Sequence, residues 1–376
     1  MDKIKSYSVG FILAALAVVP PINFSVNAPS DYWPWWIMMA GFLGFYTMFL
    51  KTSLIVKFLA VAGFINCFFS SSPYLSFTSY ISIVFMCYFF MLCKSIKDYG
   101  IVFRVLQCLL IFTSFMFVMQ IAGLDRLLNF GRSVAPIDFC FGIVGQHMQS
   151  ASLSVVLAAA VLAAALMPFN VFNLSFPFIT SVFCNSAGGF LCASSGIIAF
   201  FYKKIQKRYF LIPVALLIIF SLWMVLSGKL NANTYAGGGR LTVWKSTVHL
   251  AIQRPLMGWG AGMYKSIFPA LGGISGVPWK TAHNCWLQLL FEFGIPITMF
   301  ISGYFVYLMV SLARLTRRAS FKKNAFRCLA GLTMISLNMC FHFPTRVLGC
   351  VLIIIFFLAY CQKIIDTGGV RWQVQA

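Results

Sequence analysis

The chain is a succession of long apolar runs joined by short polar connections, and the pattern continues from one end to the other. This constrains the fold more than any motif does. A backbone inside hydrocarbon must bond its N–H and C=O groups internally, and about 20 apolar residues in a helix cross a bilayer. Twelve runs fit, at approximately 8–26, 35–50, 53–70, 77–93, 100–123, 146–166, 169–184, 188–202, 209–227, 283–312, 324–343 and 347–365. The expectation is an all-α polytopic membrane protein with about 12 transmembrane helices, forming one integral domain over residues 1–376. At 61% hydrophobic and 9% charged, little chain remains for a separate soluble domain.

The net charge of +21 does not point to nucleic acid. Most Lys and Arg fall in short loops between spans, as the positive-inside bias dictates. Lys3, Lys5, Lys51, Lys94, Lys97, Lys203, Lys204, Lys207, Arg208, Arg314, Arg317, Arg318, Lys322, Lys323, Lys363 and Arg371 share one side under this count. That side reads as cytoplasmic and holds both termini. It also requires 169–184 and 188–202 to be separate spans, since one broken helix there would invert everything after it. The run from Val9 to Val19 reads as an uncleaved first helix, and Trp33, Trp35 and Trp36 as an interfacial belt. Twelve cysteines lie mostly inside spans without a CxxC pair, as free buried thiols would.

One external segment breaks the charge rule. The loop 228–282 contains Lys229, Arg240, Lys245, Arg254, Lys265 and Lys280, and no acid. Six cations without counter-ions call for an anionic partner: lipid headgroups, or a substrate phosphate or diphosphate. Arg240 and Arg254 suit phosphate because the guanidinium fork binds its oxygens in pairs. The spacing of Leu241, Trp244, Val248 and Ala251/Ile252 predicts a short amphipathic helix on the membrane surface, stopped by Pro255. Arg240 then stands beside the exposed N–H groups of that helix's first turn, an anion cradle. Gly258-Trp259-Gly260-Ala261-Gly262 follows. It reads either as a flexible turn or as backbone approaching a glycan or diphosphate.

The loop ends at His283, one of four histidines, and Glu292 is the chain's sole glutamate. Ionisable groups carried onto an apolar run are functional by default. On a straight helix Gly294 shares the face of His283, while Glu292 lies about 180° away and roughly 13 Å deeper. His283 is therefore the candidate base, able to take a proton from a sugar hydroxyl near neutral pH. Glu292 is a structural candidate, and Gly294 a point of close approach. His147 and Gln149 read either as contacts to sugar hydroxyls or as a helix cap, and Asn284, Gln288 and Arg346 are further candidate contacts to a glycan or acceptor. His342 flanks the same external turn as Arg346. The seven acids are scattered without metal-ligand spacing, and no HExxH, P-loop or GxSxG occurs. The expected chemistry needs no metal or cofactor.

Arg240, Trp244, Pro255, Gly258, Gly260, His283, Asn284, Leu287, Gln288, Glu292 and Gly294 together resemble the O-antigen ligase and polymerase superfamily of bacterial envelopes. The resemblance covers 240–298. Ile297 stands where the ligase branch carries a second Gly, followed by Thr298 as in that branch. It implies a metal-independent inverting glycosyltransferase of the GT-C type in the bacterial inner membrane, with its active site facing the periplasm. The donor would be an undecaprenyl-diphosphate-linked glycan, and the acceptor lipid A–core (ligase) or a second lipid-linked glycan (polymerase). His283 would be the base, with Arg240 and Arg254 on the diphosphate. A lipid-linked oligosaccharide flippase remains the alternative of another class. It would place its polar groups at mid-membrane in two related halves.

Overall fold

Hydrophobic run length sets the helix boundaries closely. The computed structural model describes residues 5–12, 54–121, 147–163, 175–177, 179–181, 187–201, 239–271, 279–317, 322–342, 344–346 and 348–367. Residues 5–12 are helical, and ten further helices carry the description: α1 (Leu54–Phe68), α2 (Pro73–Ser95), α3 (Gly100–Ile121), α4 (His147–Ala163), α5 (Ala187–Phe201), α6 (Arg240–Gln253), α7 (Tyr264–Leu271), α8 (Cys285–Leu315), α9 (Lys322–Phe341) and α10 (Leu348–Asp366). A 3-10 turn, Pro344–Arg346, joins α9 to α10. No strand occurs among the described residues.

Eight of these helices coincide with expected spans to within a few residues, and α6 and α7 occupy the loop. Pro73–Ser95, Gly100–Met119, Cys285–Leu315 and Gly349–Asp366 are long and apolar enough to cross a membrane, and Lys57–Phe68 and Leu153–Leu162 are shorter apolar helices. The protein is a multi-pass membrane protein. The expected spans 35–50 and 209–227, most of 8–26 and 169–184, the segment 124–145, the residues 228–238 and the three interfacial tryptophans lie outside the described residues.

Helix α9 is central, packed against α4, α5 and α8. Small residues permit this, as is usual where helices associate without a hydrophobic drive between them. A Cβ on Gly331 of α9 would lie 2.6 Å from the Ala159 carbonyl of α4. The same contact sets the register. His147 is 12 residues before Ala159 and His342 is 11 after Gly331, about 18 and 16 Å of helix respectively. The 3-10 turn also packs on α4, so both histidines belong to one end of the bundle. Buried Phe85, Phe89, Phe103, Phe356 and Phe357 fill the core between α2, α3 and α10.

The other end gathers basic side chains. Lys94 Nζ lies 2.7 Å from Asp366 Oδ2, Lys363 donates to the Lys94 carbonyl at 3.3 Å, and Ser6 donates to the Asp98 carbonyl at 2.7 Å.

The expected face of α6 needs correction. Val243, Thr247, Leu250 and Ala251 are buried, whereas Leu241 and Ile252 are 68% and 67% exposed. The helix turns a face containing a threonine inward because Thr247 Oγ1 meets the hydroxyl of Tyr264 at 2.7 Å, which satisfies both buried groups.

Candidate functional site

The site is built on a break in α8. The helical path is interrupted at Gly294, with φ 74° and ψ −176°, two residues before Pro296. The straight-helix projection used on the sequence therefore ends at residue 293. In an unbroken helix Ile295 N–H would bond the Phe291 carbonyl. The Glu292 carbonyl would face position 296, where proline has no N–H to give. These orphaned groups are taken up by the loop. Ile295 N–H donates to the Pro255 carbonyl at 2.7 Å, Trp259 N–H to the Phe291 carbonyl at 2.9 Å, and Gly260 N–H to the Glu292 carbonyl at 3.0 Å. The Pro-x-x-Gly-x-Gly turn and the histidine helix are thus one unit, stitched backbone to backbone.

The approach is close enough to dictate residue type. A Cβ on Gly258 (φ 66°) would fall 2.6 Å from the Glu292 backbone, and one on Gly294 would fall 2.5 Å from the Leu256 carbonyl. Asn66 of α1, wholly buried, closes the joint. Its amide nitrogen donates to the carbonyls of Met257 and Glu292, and its oxygen accepts from Ala261 N–H. Sequence reading passed over Asn66, although an asparagine inside an apolar span is itself a signal of a buried polar joint.

Glu292 is 7% exposed. Its Oε2 accepts from Gly262 N–H at 3.1 Å. Its Oε1 accepts from Tyr264 N–H at 3.4 Å and from the Gln288 amide at 3.0 Å. A carboxylate held by backbone N–H groups needs no cation beside it. The turn's glycine N–H groups, one of the places a diphosphate was expected, are engaged within the protein: Gly258 to the Arg254 carbonyl, Gly260 and Gly262 to Glu292. Gln288 braces Glu292 one helical turn away. Asn284 is the N-cap of α8, its side-chain oxygen accepting from Trp286 and Leu287 N–H at 3.0 and 3.1 Å, the usual work of asparagine there.

His283 differs from these neighbours in its backbone. It has φ 52°, unlike any other described non-glycine residue. This left-handed conformation costs energy that the surroundings must hold in place, and such strain gathers at functional sites. Two aromatic residues hold it. Trp244 Nε1 of α6 donates to the Ala282 carbonyl at 2.8 Å, and the Trp279 ring meets the imidazole edge-to-face, centroids 5.4 Å apart.

Arg240 opens α6 one turn before Trp244. Its Nη1 donates to the Phe341 carbonyl, at the C-terminus of α9, at 3.1 Å. Burial pulls its pKa below the ordinary arginine value, yet guanidinium stays charged at neutral pH. The turn after Phe341 is tied to α8 in its own way: Cys285 Sγ lies 3.1 Å from Thr345 Oγ1 and donates to the His342 carbonyl at 3.6 Å. A Cβ on Gly188 would touch the His342 ring, so the N-terminus of α5 also arrives here. Arg240, His283 and His342 are brought to one place, together with the backbones of His147, Gln149 and Arg346 at the same end of the bundle. Arg254 is not. It closes the far end of α6, about 21 Å from Arg240 along the helix. There it lies over the Trp259 ring, 4.5 Å from its centroid, and donates to the Phe69 carbonyl. One diphosphate does not span that separation.

Below Gln288 and Glu292 a cavity of about 310 Å³ opens between α2, α8 and α10. Its upper wall includes Cys285, Thr345, Ser79 and Ser82, and the remainder is aliphatic and aromatic down to Tyr304 and Leu358.

Residues 139–302 match the family model described as O-antigen ligase. The match supports the O-antigen ligase and polymerase superfamily for this chain. No curated protein matches it. The matched segment runs from before α4 through α6, the glycine turn and the break in α8. It holds Arg240, His283 and Glu292, whereas α9 and the turn bearing His342 lie beyond it. The family supports an enzyme of the glycan-transferring ligase or polymerase type acting on lipid-linked glycans.

Proposed function

We propose that the protein transfers a glycan from undecaprenyl diphosphate to an acceptor hydroxyl at the periplasmic face of the bacterial inner membrane, as an O-antigen ligase with lipid A–core as acceptor. The observation that carries this reading is a half-buried cation and a histidine of strained backbone gathered at one end of the bundle, next to an apolar cavity whose wall begins at Cys285. Arg240 offers charge-assisted donors to a diphosphate, and the helix N-termini of α5, α6 and α8 add partial positive charge. The cavity suits the hydrocarbon of a lipid-linked donor, with the cleavable bond left at its polar mouth.

The chemistry is an inverting displacement. His283 takes the proton of the acceptor hydroxyl, whose oxygen attacks the anomeric carbon from the face opposite the diphosphate. The new C–O bond forms as the bond to the phosphate oxygen breaks, and Arg240 stabilises the charge that collects on the leaving diphosphate. These residues supply base and leaving-group stabilisation without calling on a metal. Glu292, Gln288, Asn284 and Gly294 serve as framework: they hold the turn and the start of α8, so His283 keeps its place. Arg254 fixes the far end of α6 rather than binding the substrate.

The test is His283→Ala and Arg240→Ala in a strain whose surface glycan depends on this chain. Each should abolish surface glycan while membrane levels of the protein persist. Full glycan attachment with His283→Ala rules the mechanism out. In a deletion strain, uncapped core with accumulating lipid-linked polymer marks a ligase, and a single repeat on the core marks a polymerase.

A further inference from the structure

The residue whose ring meets the imidazole of His283 also carries a polar group. Trp279 is half-buried at the end of the loop, four residues before the histidine. Its indole nitrogen is buried and has no hydrogen-bond partner among the described residues. A buried tryptophan N–H ordinarily finds an acceptor, because leaving it unmade forfeits the full cost of stripping it of water. Its neighbours follow that rule: Trp244 Nε1 donates to the Ala282 carbonyl at 2.8 Å and Trp259 Nε1 to the Leu250 carbonyl at 2.9 Å. Trp279 alone among these three loop tryptophans is left over, and it is the one against His283.

Indole nitrogen is a donor only, so its partner must be an acceptor atom. We infer that Trp279 is a ligand-contacting residue of this site, its N–H donating to an oxygen of the bound lipid-linked glycan beside His283, while its ring fixes the plane of the imidazole. The inference rests on the function proposed above and adds a specificity-determining contact to it. The oxygen belongs either to the diphosphate or to a hydroxyl of the first sugar. Both are acceptors carried by the same donor substrate, joined through the anomeric bond. The perpendicular ring contact, with planes at 85°, gives Trp279 two separable tasks. Trp279→Phe keeps an aromatic ring against the imidazole and removes the N–H. Trp279→Ala removes both.

The experiment uses the full chain purified into lipid nanodiscs. It measures steady-state transfer from a polyprenyl-diphosphate-linked sugar, and binding of polyprenyl diphosphate without sugar. For Trp279→Phe we expect KM for the donor to rise about fivefold to tenfold, the loss of one hydrogen bond, with kcat and its pH profile kept. For Trp279→Ala kcat should also fall and the pH profile should move, since the imidazole loses its ring neighbour. Weaker binding of the bare diphosphate by Trp279→Phe assigns the oxygen to phosphate. Unchanged binding with raised KM assigns it to the sugar. A thermal midpoint equal to wild type shows that Trp279→Phe is folded. A folded Trp279→Phe with wild-type KM and wild-type diphosphate binding overturns the inference. If wild type transfers nothing, the function proposed above fails. In that case binding of the polyprenyl-diphosphate-linked sugar decides: weaker binding by Trp279→Phe still upholds the contact, and equal binding overturns it.

Discussion

The two ends of the bundle each hold a carboxylate, and they hold it differently. At one end Asp366 pairs with Lys94, side chains 39% and 31% exposed. At the other, Glu292 is 7% exposed and is gripped by two backbone N–H groups and an amide. The first arrangement joins two flexible side chains at a wet surface, where such pairs contribute little. The second joins a loop to a broken helix through atoms that cannot swing aside. The end that must keep a histidine in an unfavourable backbone conformation is the one built from backbone bonds.

Substitutions can break this contrast. The largest effect should come at His283, where losing a general base costs about 10²–10⁴ in rate. His283→Gly makes the sharper form of the test. It relieves the left-handed strain, so it should unfold no more easily than wild type while transferring nothing. Retained transfer in His283→Gly would remove the histidine from the chemistry. Arg240→Ala should follow, at roughly 10²–10³ in kcat, read in the same assay. Gly294→Ala should reduce folded protein in the membrane, since its methyl meets the Leu256 carbonyl at 2.5 Å; normal yield would mean the joint can open. Glu292→Gln turns an amide N–H toward backbone donors. It should lower unfolding stability by about 2 kcal/mol, the scale of a hydrogen bond to a charged group, measured by thermal or denaturant unfolding in detergent. Lys94→Met should change the same measurement by less than about 1 kcal/mol. Equal losses from the last two would erase the difference between the ends.

Run length and loop charge made the helices legible, since hydrocarbon leaves a chain few alternatives. The cluster from Arg240 to Gly294 was visible because polar residues are scarce here. Three features were not. The break in α8 was hidden by treating residues 283–312 as one straight helix, although Gly294 and Pro296 together announce it. The inward face of α6 was misjudged because Leu241 and Ile252 are more apolar than Thr247, whose partner Tyr264 lies 17 residues away. The separation of Arg254 from Arg240 follows from counting helical rise. Composition alone groups them as two cations of one loop.

The stitched joint also carries a consequence for how the protein is made. The acceptor for Gly262 is 30 residues further along the chain, and the Asn66 that meets Ala261 lies 195 residues earlier. As the polypeptide emerges, the glycine turn is complete before either oxygen of Glu292 exists. It must wait until α8 has been inserted and has broken at Gly294. Arrival of that helix is therefore the event that gives the glycine turn its shape, and the histidine at its head takes up its strained position only then.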